Sequence, residues 1–315
     1  MINLELRQGL VTTLADLEAG DTVLVGLSGG ADSLALLKCA VIVGKAQSFN
    51  VGAIIIDHQL QDESKVTSQT AAQLATDLGA DPVLIFNVTV ATGPGSGGIE
   101  AAARDARREA FTRVAADYDA KAILLGHTLE DQAETVLLGL ARGSGARSLS
   151  GMRATDGLYR RPFLGISREI VRNEVADLKA FEDPHNSDAK FSRVRARNTV
   201  LPIMESELGP GITNALARTA DLLRDDADAL DALARFEITR VSDDVNLIAS
   251  LPRAIRTRVL RQLAITNGCD INALTREHVL AIDGLITNWH GQGPLNLPGA
   301  VNVERRSDRL TFYQT

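Results

Sequence analysis

The stretch that most limits what this chain can fold into is Val23 to Leu37, VLVGLSGGADSLALL. A mostly apolar run with the character of a buried parallel strand passes through Ser28-Gly29-Gly30-Ala31-Asp32-Ser33 into a helical apolar pattern at Leu34, Leu37 and Val41. Strand, tight loop and helix start follow one another without a spacer. The two glycines let the backbone turn sharply and approach an anion, while Ser28, Ser33 and the free N–H groups of the helix start can donate to phosphate oxygens. The loop has no lysine in the GxxxxGK[ST] arrangement, so the lysine-dependent grip of those NTPases is excluded. Its acid, Asp32, suits a metal ion bridging phosphates instead. A helix cap with turn glycines explains any one of these residues, but not the whole run behind a buried strand.

The same alternation continues down the chain. A helix is expected over Leu4–Leu17, strands over Asn50–Asp57, Pro82–Val90 and Ala122–Gly126, and helices over Glu63–Leu78, Ile99 to about Tyr118, and Leu129–Ala141. That order predicts an α/β fold, a doubly wound parallel sheet with ligands beyond the carboxyl ends of its strands. Asp57 and His58 come at the end of the strand that begins at Asn50 and His127 follows the strand over Ala122–Gly126, where such side chains can bond a ribose, an adenine edge or a bridging water. Asp131 and Glu134 lie three apart on a helix and share a face. Such a pair can hold an ammonium group or help bind Mg²⁺; a solvated first turn, where acids complement the helix dipole, is the alternative.

With 315 residues, 45% of them hydrophobic, the chain can fill one large domain and one small one. Glu5, Arg7, Asp16 and Glu18 make the start amphipathic rather than a signal peptide, and no apolar run is long enough to cross a membrane, so a cytoplasmic protein without a membrane partner is expected. Cys39 and Cys269 form no CxxC pair and read as buried apolar residues. The net charge of −7 speaks against general nucleic-acid binding, yet Arg142 to Pro202 is arginine-rich and can meet a polyanion locally; a salt-bridged surface explains the same charges.

The division expected is residues 1–208 as the nucleotide domain, 209–240 as a helical connector and 241–315 as a smaller α+β domain. The connector is carried by an amphipathic pattern over Gly211–Phe236, and three short antiparallel strands are expected over Gly293–Leu297, Ala300–Arg306 and Arg309–Tyr313. Arg256 and Arg261, on a helix over Pro252–Ile265, are the candidate phosphate contacts of this part; a plain solvated helix face explains them too.

SGGADS resembles the SGGxDS loop of the PP-loop ATP pyrophosphatases, which cleave ATP to AMP and pyrophosphate by adenylating a substrate oxygen. DHQLQDES, GIEAAARDARREAF, HTLEDQAET, RGSG with the following GM, RPFL, EDPHNSD and RVRARNTVLP then occur in the order seen in the tRNA(Ile)-lysidine synthetase family. The resemblance covers roughly residues 20 to 205 and is far more specific as an ordered set than any member alone.

That resemblance implies a two-step reaction on the wobble cytidine, position 34, of isoleucine tRNA with a CAU anticodon. ATP adenylates the C2 oxygen and releases pyrophosphate, and the ε-amine of L-lysine then displaces AMP to leave lysidine. It implies that Ser28, Gly29, Gly30 and Ser33 hold the pyrophosphate end, with Asp57, His58 and His127 at the nucleotide, and that Asp32 binds Mg²⁺. Asp131 and Glu134 would orient lysine or the metal; Arg104, Arg142, Arg193, Arg195 and Arg197 would serve lysine or tRNA, and the C-terminal domain would help hold the tRNA. Arg197 aligns with the second arginine of the family's RNxxR pattern, and Val194 stands where asparagine is usual. A homodimer is left open.

A tRNA 2-thiocytidine synthetase would need CxxC pairs, which are absent. An amide-forming ligase such as NAD synthetase would not account for HTLEDQAET or the arginine-rich segment, and a nucleotide-binding regulatory module would show no tRNA-dependent ATP consumption.

Overall fold

The structure, a computed structural model, describes residues 2–57, 64–88, 99–143, 145–181 and 188–314, without the side chains of Ser64 and residues 99–105. The chain divides into two compact units, residues 1–221 and 222–315.

The first unit opens with α1 (Leu4–Thr13), capped by Asn3, whose side chain accepts from the Glu5 N–H. It ends short of the expected Leu17. There follow β1 (Thr22–Leu27), α2 (Ala31–Gln47), β2 (Asn50–Asp57), α3 (Ser64–Leu78), β3 (Val83–Asn87), α4 (Ile99–Asp117), β4 (Ala120–Leu124) and α5 (Leu129–Ala141). Then come α6 (Ala146–Leu149), β5 (Thr155–Asp156), β6 (Tyr159–Arg160), α7 (Arg168–Asn173), α8 (Ser192–Arg195), a π-turn (Ala196–Val200) and α9 (Leu201–Glu207).

The strands form one sheet in the order β3-β2-β1-β4-β6-β5, parallel except for the β5–β6 hairpin. Side-chain alternation explains why both faces are covered. Val23, Val25 and Leu27 of β1, with Ala53 and Ile55 of β2, join the core built with α1 and α2, whereas Leu24, Ile54 and Ile123 point the other way to Phe111, Val114 and Ala115 of α4. Phe163, from the RPFL run, is fully buried in the first core, so that residue serves packing.

Cys39 sits in the same core, and burial, reinforced by the Glu174 charge, pushes its thiol up to about 12. Cys269, in the second unit, is also buried, and burial raises its pKa.

The helix α10 (Ile212–Val241) contributes residues on both sides of the division. At its start the Glu205 carboxylate accepts from the Gly211 and Thr213 N–H groups and the Thr213 hydroxyl, satisfying donors that a helix N-terminus leaves open. These bonds hold the Glu205 pKa down to about 2.

The second unit contains α11 (Val245–Ala249), α12 (Arg253–Thr266), α13 (Arg276–Thr287) and the antiparallel meander β7 (Leu295–Leu297), β8 (Val301–Arg306) and β9 (Arg309–Gln314). Ile248, Val259, Leu260, Ile282 and Val303 form its core. Arg256 and Arg261, expected at phosphates, are engaged within the unit. The Arg256 Nε lies 2.6 Å from Asp283 Oδ1, and Arg261 donates to the carbonyls of Leu274 and Ile271 at 2.6 and 3.0 Å. Both span packed elements, which gives each guanidinium a structural partner in place of an external one.

Among the described residues no helix is long and apolar enough to cross a membrane.

Candidate active site

At the centre of the sheet β1 lies between β2 and β4, so the chain leaves β1 toward one side and later returns on the other. The crevice beyond their carboxyl ends is where such sheets bind ligands. β1 delivers the 28–33 loop into it. Gly29 adopts φ +81, a left-handed conformation that a side chain would strain, and Ser33 folds the loop by donating to the Gly30 carbonyl at 2.9 Å while its oxygen accepts from Ser28 N at 3.2 Å. The N-terminus of α2 thus opens onto the crevice, the arrangement that favours anions.

β4 leaves the sheet beside this loop. A Cβ on Gly126 would lie 3.0 Å from the Asp32 carbonyl oxygen and 3.2 Å from Ser33 Cα, so glycine is what permits the approach. Next comes α5, whose start is closed by Asp131 Oδ2 accepting from the N–H and hydroxyl of Thr128 at 2.8 and 3.0 Å. The other oxygen, Oδ1, accepts from Arg168 Nη2 at 2.9 Å and Arg197 Nη2 at 3.0 Å.

Glu134, one turn on, has no exposure to solvent. Arg197 grips it with two bonds, Nε to Oε1 at 2.6 Å and Nη2 to Oε2 at 3.0 Å, and Arg168 and Arg193 approach to 3.5 and 3.6 Å. A buried carboxylate held this way is a mount for arginines. Burial opposes ionisation of Asp131, but Arg168, the Thr128 N–H, His127 and Arg197 outweigh it and hold its pKa below the usual value. Burial likewise opposes the charge on Arg197, and Glu134, Asp131 and Asp32 override it upward.

Asp32, at the start of α2, is paired with Arg172 (Nε to Oδ1, 2.9 Å) and Arg168 (Nε to Oδ2, 3.5 Å). Both arginines come from α7, which is fastened by its Ser167 cap and by the Arg168 N–H donating to Glu130 at 2.9 Å.

Together these elements enclose a cavity of about 700 Å³. Of the residues singled out in the motifs, Ser28, Gly30, Asp32, Ser33, His127, Asp131, Arg193 and Arg197 line it, over a floor that includes Ile54, Ile56 and Phe111. Glu134 stands behind the wall. Other expected residues lie elsewhere: Asp57 is buried at the end of β2 and does not line the cavity, and Arg142 is exposed at the end of α5. Arg195 donates to the carbonyls of Ala189 and Lys190. His58, the side chain of Arg104 and residues 182–187 of the EDPHNSD run fall outside the described residues. Val194 is buried, so an apolar side chain suits its place.

Three arginines outside the singled-out residues also meet the site. Arg107 and Arg172 line the cavity and Arg168 bridges Asp32 to Asp131. The signal for the last two is the i, i+4 spacing in Ser167-Arg168-Glu169-Ile170-Val171-Arg172, a capped turn with two arginines on one face. Among the described residues the guanidiniums of Arg168, Arg172, Arg193 and Arg197 surround the carboxylates of Asp32, Asp131 and Glu134, an arrangement able to meet a polyanion.

A glycine-serine phosphate loop opening on an arginine-rich cavity at the switch point of a parallel sheet defines a PP-loop ATP-using domain, and residues 4–204 match the PP-loop domain family. Residues 244–311 match the TilS substrate binding domain. The chain is 50% identical over 312 residues to tRNA(Ile)-lysidine synthase of Thermobifida fusca, covering 96% of this chain and 95% of the relative. It is 48% identical to that of Leifsonia xyli, covering 94% and 91%, and 46% identical to that of Streptomyces coelicolor, covering 93% and 85%. It belongs to the tRNA(Ile)-lysidine synthase family and is an ATP-dependent ligase. The U34-tRNA thiolase NcsA from Methanococcus maripaludis, solved with its [4Fe-4S] cluster, superposes with a TM-score of 0.57 at 20% identity, over 70% of this chain and 78% of that one. That likeness speaks for the fold alone.

Proposed function

We propose that this chain ligates L-lysine to C2 of the wobble cytidine of isoleucine tRNA with a CAU anticodon, through an adenylated cytidine, releasing pyrophosphate and then AMP. The observation that carries the reading is the meeting of the phosphate loop, Asp131, Arg193 and Arg197 around one cavity, in a chain nearly half identical to named lysidine synthases. The loop N–H groups and serines would hold the pyrophosphate end of ATP. Arg193 and Arg197 would stabilise charge that develops at the α-phosphate and the cytidine oxygen. Asp131, which lines the cavity and is held ionised, would orient the lysine ε-ammonium; Glu134, sealed from solvent, keeps Arg197 aimed.

Among the described residues no three His, Cys, Asp or Glu side chains cluster to hold a metal. Mg²⁺ is commonly held by one or two carboxylates together with substrate phosphates, and Asp32, facing the cavity, meets that need. The ion would neutralise charge on the departing pyrophosphate. Residues 241–315 would hold the tRNA, in line with the substrate binding domain matched there.

The test is incorporation of labelled L-lysine into an isoleucine tRNA transcript bearing CAU, with ATP and Mg²⁺, beside a methionine tRNA control. Label in the first transcript alone is the expected result. Pyrophosphate release without label would keep the adenylating step and replace lysine as nucleophile.

A further inference from the structure

We propose that Arg172 is a displaceable latch on Asp32. It covers the carboxylate, and moves onto the triphosphate when a divalent cation arriving with ATP takes Asp32. The latch rests on the reading of Asp32 as the metal-binding carboxylate. Arg172 Nε lies 2.9 Å from Oδ1 and Nη2 lies 3.4 Å from Oδ2, so one guanidinium faces both oxygens. A Mg²⁺ ion needs a carboxylate oxygen at about 2.0–2.1 Å, and a guanidinium spanning both oxygens crowds that approach and repels the incoming charge. Something must leave.

Burial and partners decide which guanidinium it is. Arg168 has 12% of its side chain exposed and keeps Asp131 at 2.9 Å and Glu134 at 3.5 Å even if it loses Asp32. Arg172 has 52% exposed, and among the described residues Asp32 is its only side-chain partner. It also lines the same cavity as the phosphate loop, so once displaced it meets the triphosphate, an anion for which its fork is well suited. The fold does not depend on it. Buried Val171, the Ser167 cap and the Arg168–Glu130 bond already fasten α7.

The inference makes the cation and Arg172 competitors before binding, and gives Arg172 and the nucleotide a favourable contact afterwards. Removing it should therefore move two affinities in opposite directions. The experiment is calorimetric titration of the full chain with α,β-methylene-ATP over a range of Mg²⁺ concentrations, using wild type, Arg172→Ala, Asp32→Asn and the double variant. In Arg172→Ala the Mg²⁺ midpoint should fall about 3- to 10-fold, and the analogue's Kd at saturating Mg²⁺ should rise by a similar factor, as expected for one partly exposed charge contact. In the Asp32→Asn background, removing Arg172 should leave the midpoint unmoved.

An unchanged or raised midpoint in Arg172→Ala, with wild type binding normally, overturns the latch and leaves the ligase reading standing. An unchanged Kd at saturating Mg²⁺ overturns the transfer to the triphosphate. A large drop in the thermal midpoint of the nucleotide-free variant would make Arg172 a structural clip and overturn the proposal. Wild type that binds the analogue without regard to Mg²⁺ would remove Asp32 as a metal ligand, and the latch with it.

Discussion

Two groups of arginines in this chain look alike in sequence and differ in what they do. In the first unit, among the described residues, Arg168, Arg172, Arg193 and Arg197 converge on three carboxylates at the wall of a cavity, leaving one positive charge over. In the second, Arg256, Arg258 and Arg261 are each matched inside the fold, to Asp283, Asp231 and the carbonyls of Leu274 and Ile271. A helical row of arginines therefore signals a polyanion site only where the carboxylates nearby are too few to answer it. Where each guanidinium finds its own acid or carbonyl, the row is a set of braces.

The comparison can be broken most forcefully at Asp32. Asp32→Ala should lower pyrophosphate release by at least about 10³-fold with little change in thermal midpoint, since it removes the carboxylate assigned to the metal. A variant with normal turnover would take Asp32 out of the chemistry. Next, Arg197→Ala should cut lysine incorporation by about 10²-fold or more. Arg168 and Arg193 remain beside Glu134, so the stability cost should stay within about 1–3 kcal/mol. Activity and stability falling in proportion would move Arg197 into the bracing group.

Arg256→Ala should show the opposite profile. It strands Asp283, which is 7% exposed, and should cost the second unit about 2–4 kcal/mol by denaturant unfolding while leaving the salt dependence of tRNA binding unchanged. A shallower salt slope would mean that Arg256 reaches a phosphate after all. The smallest effect is expected at Glu205. Its folded pKa of about 2 lies below the ordinary 4.5, so its contribution is present above pH 4.5 and is lost as pH falls toward 2. Glu205→Gln should flatten that part of the thermal-stability profile; an unaltered profile would mean the cap contributes nothing to acid sensitivity.

Much of the architecture was legible because both faces of the sheet are covered, which forces near-continuous apolar runs. β2 and α5 occupy the bounds that their patterns give. β4 was misplaced by two residues: it pairs over Ala120–Leu124 rather than Ala122–Gly126, since Gly126 belongs to the close passage beside Asp32 and not to the ladder. The β5–β6 hairpin, two residues a strand, carries no apolar run to announce it. At the site, the cavity gathers Ser28, Asp32, Ser33, His127, Asp131, Arg193 and Arg197 from the singled-out motifs but not Asp57, Arg142 or Arg195, and it adds Arg172 from outside them. Arg168 and Arg172 act on Asp32 across a sequence separation that no local pattern encodes. Asp57 illustrates the converse, a strand-end acid that local reasoning sends to the ligand and packing keeps buried.

The two cysteines bear on how such a protein can be handled. A thiol reacts as its thiolate, and burial that pushes Cys39 up to about 12 leaves almost none of it at neutral pH. Cys39 is also sealed inside the core, and Cys269 is buried with its own pKa raised. Thiol-directed oxidants and alkylating reagents therefore find no ready cysteine in the folded chain. A cysteine placed by design on an exposed surface would be the single site of labelling, without first removing the native pair.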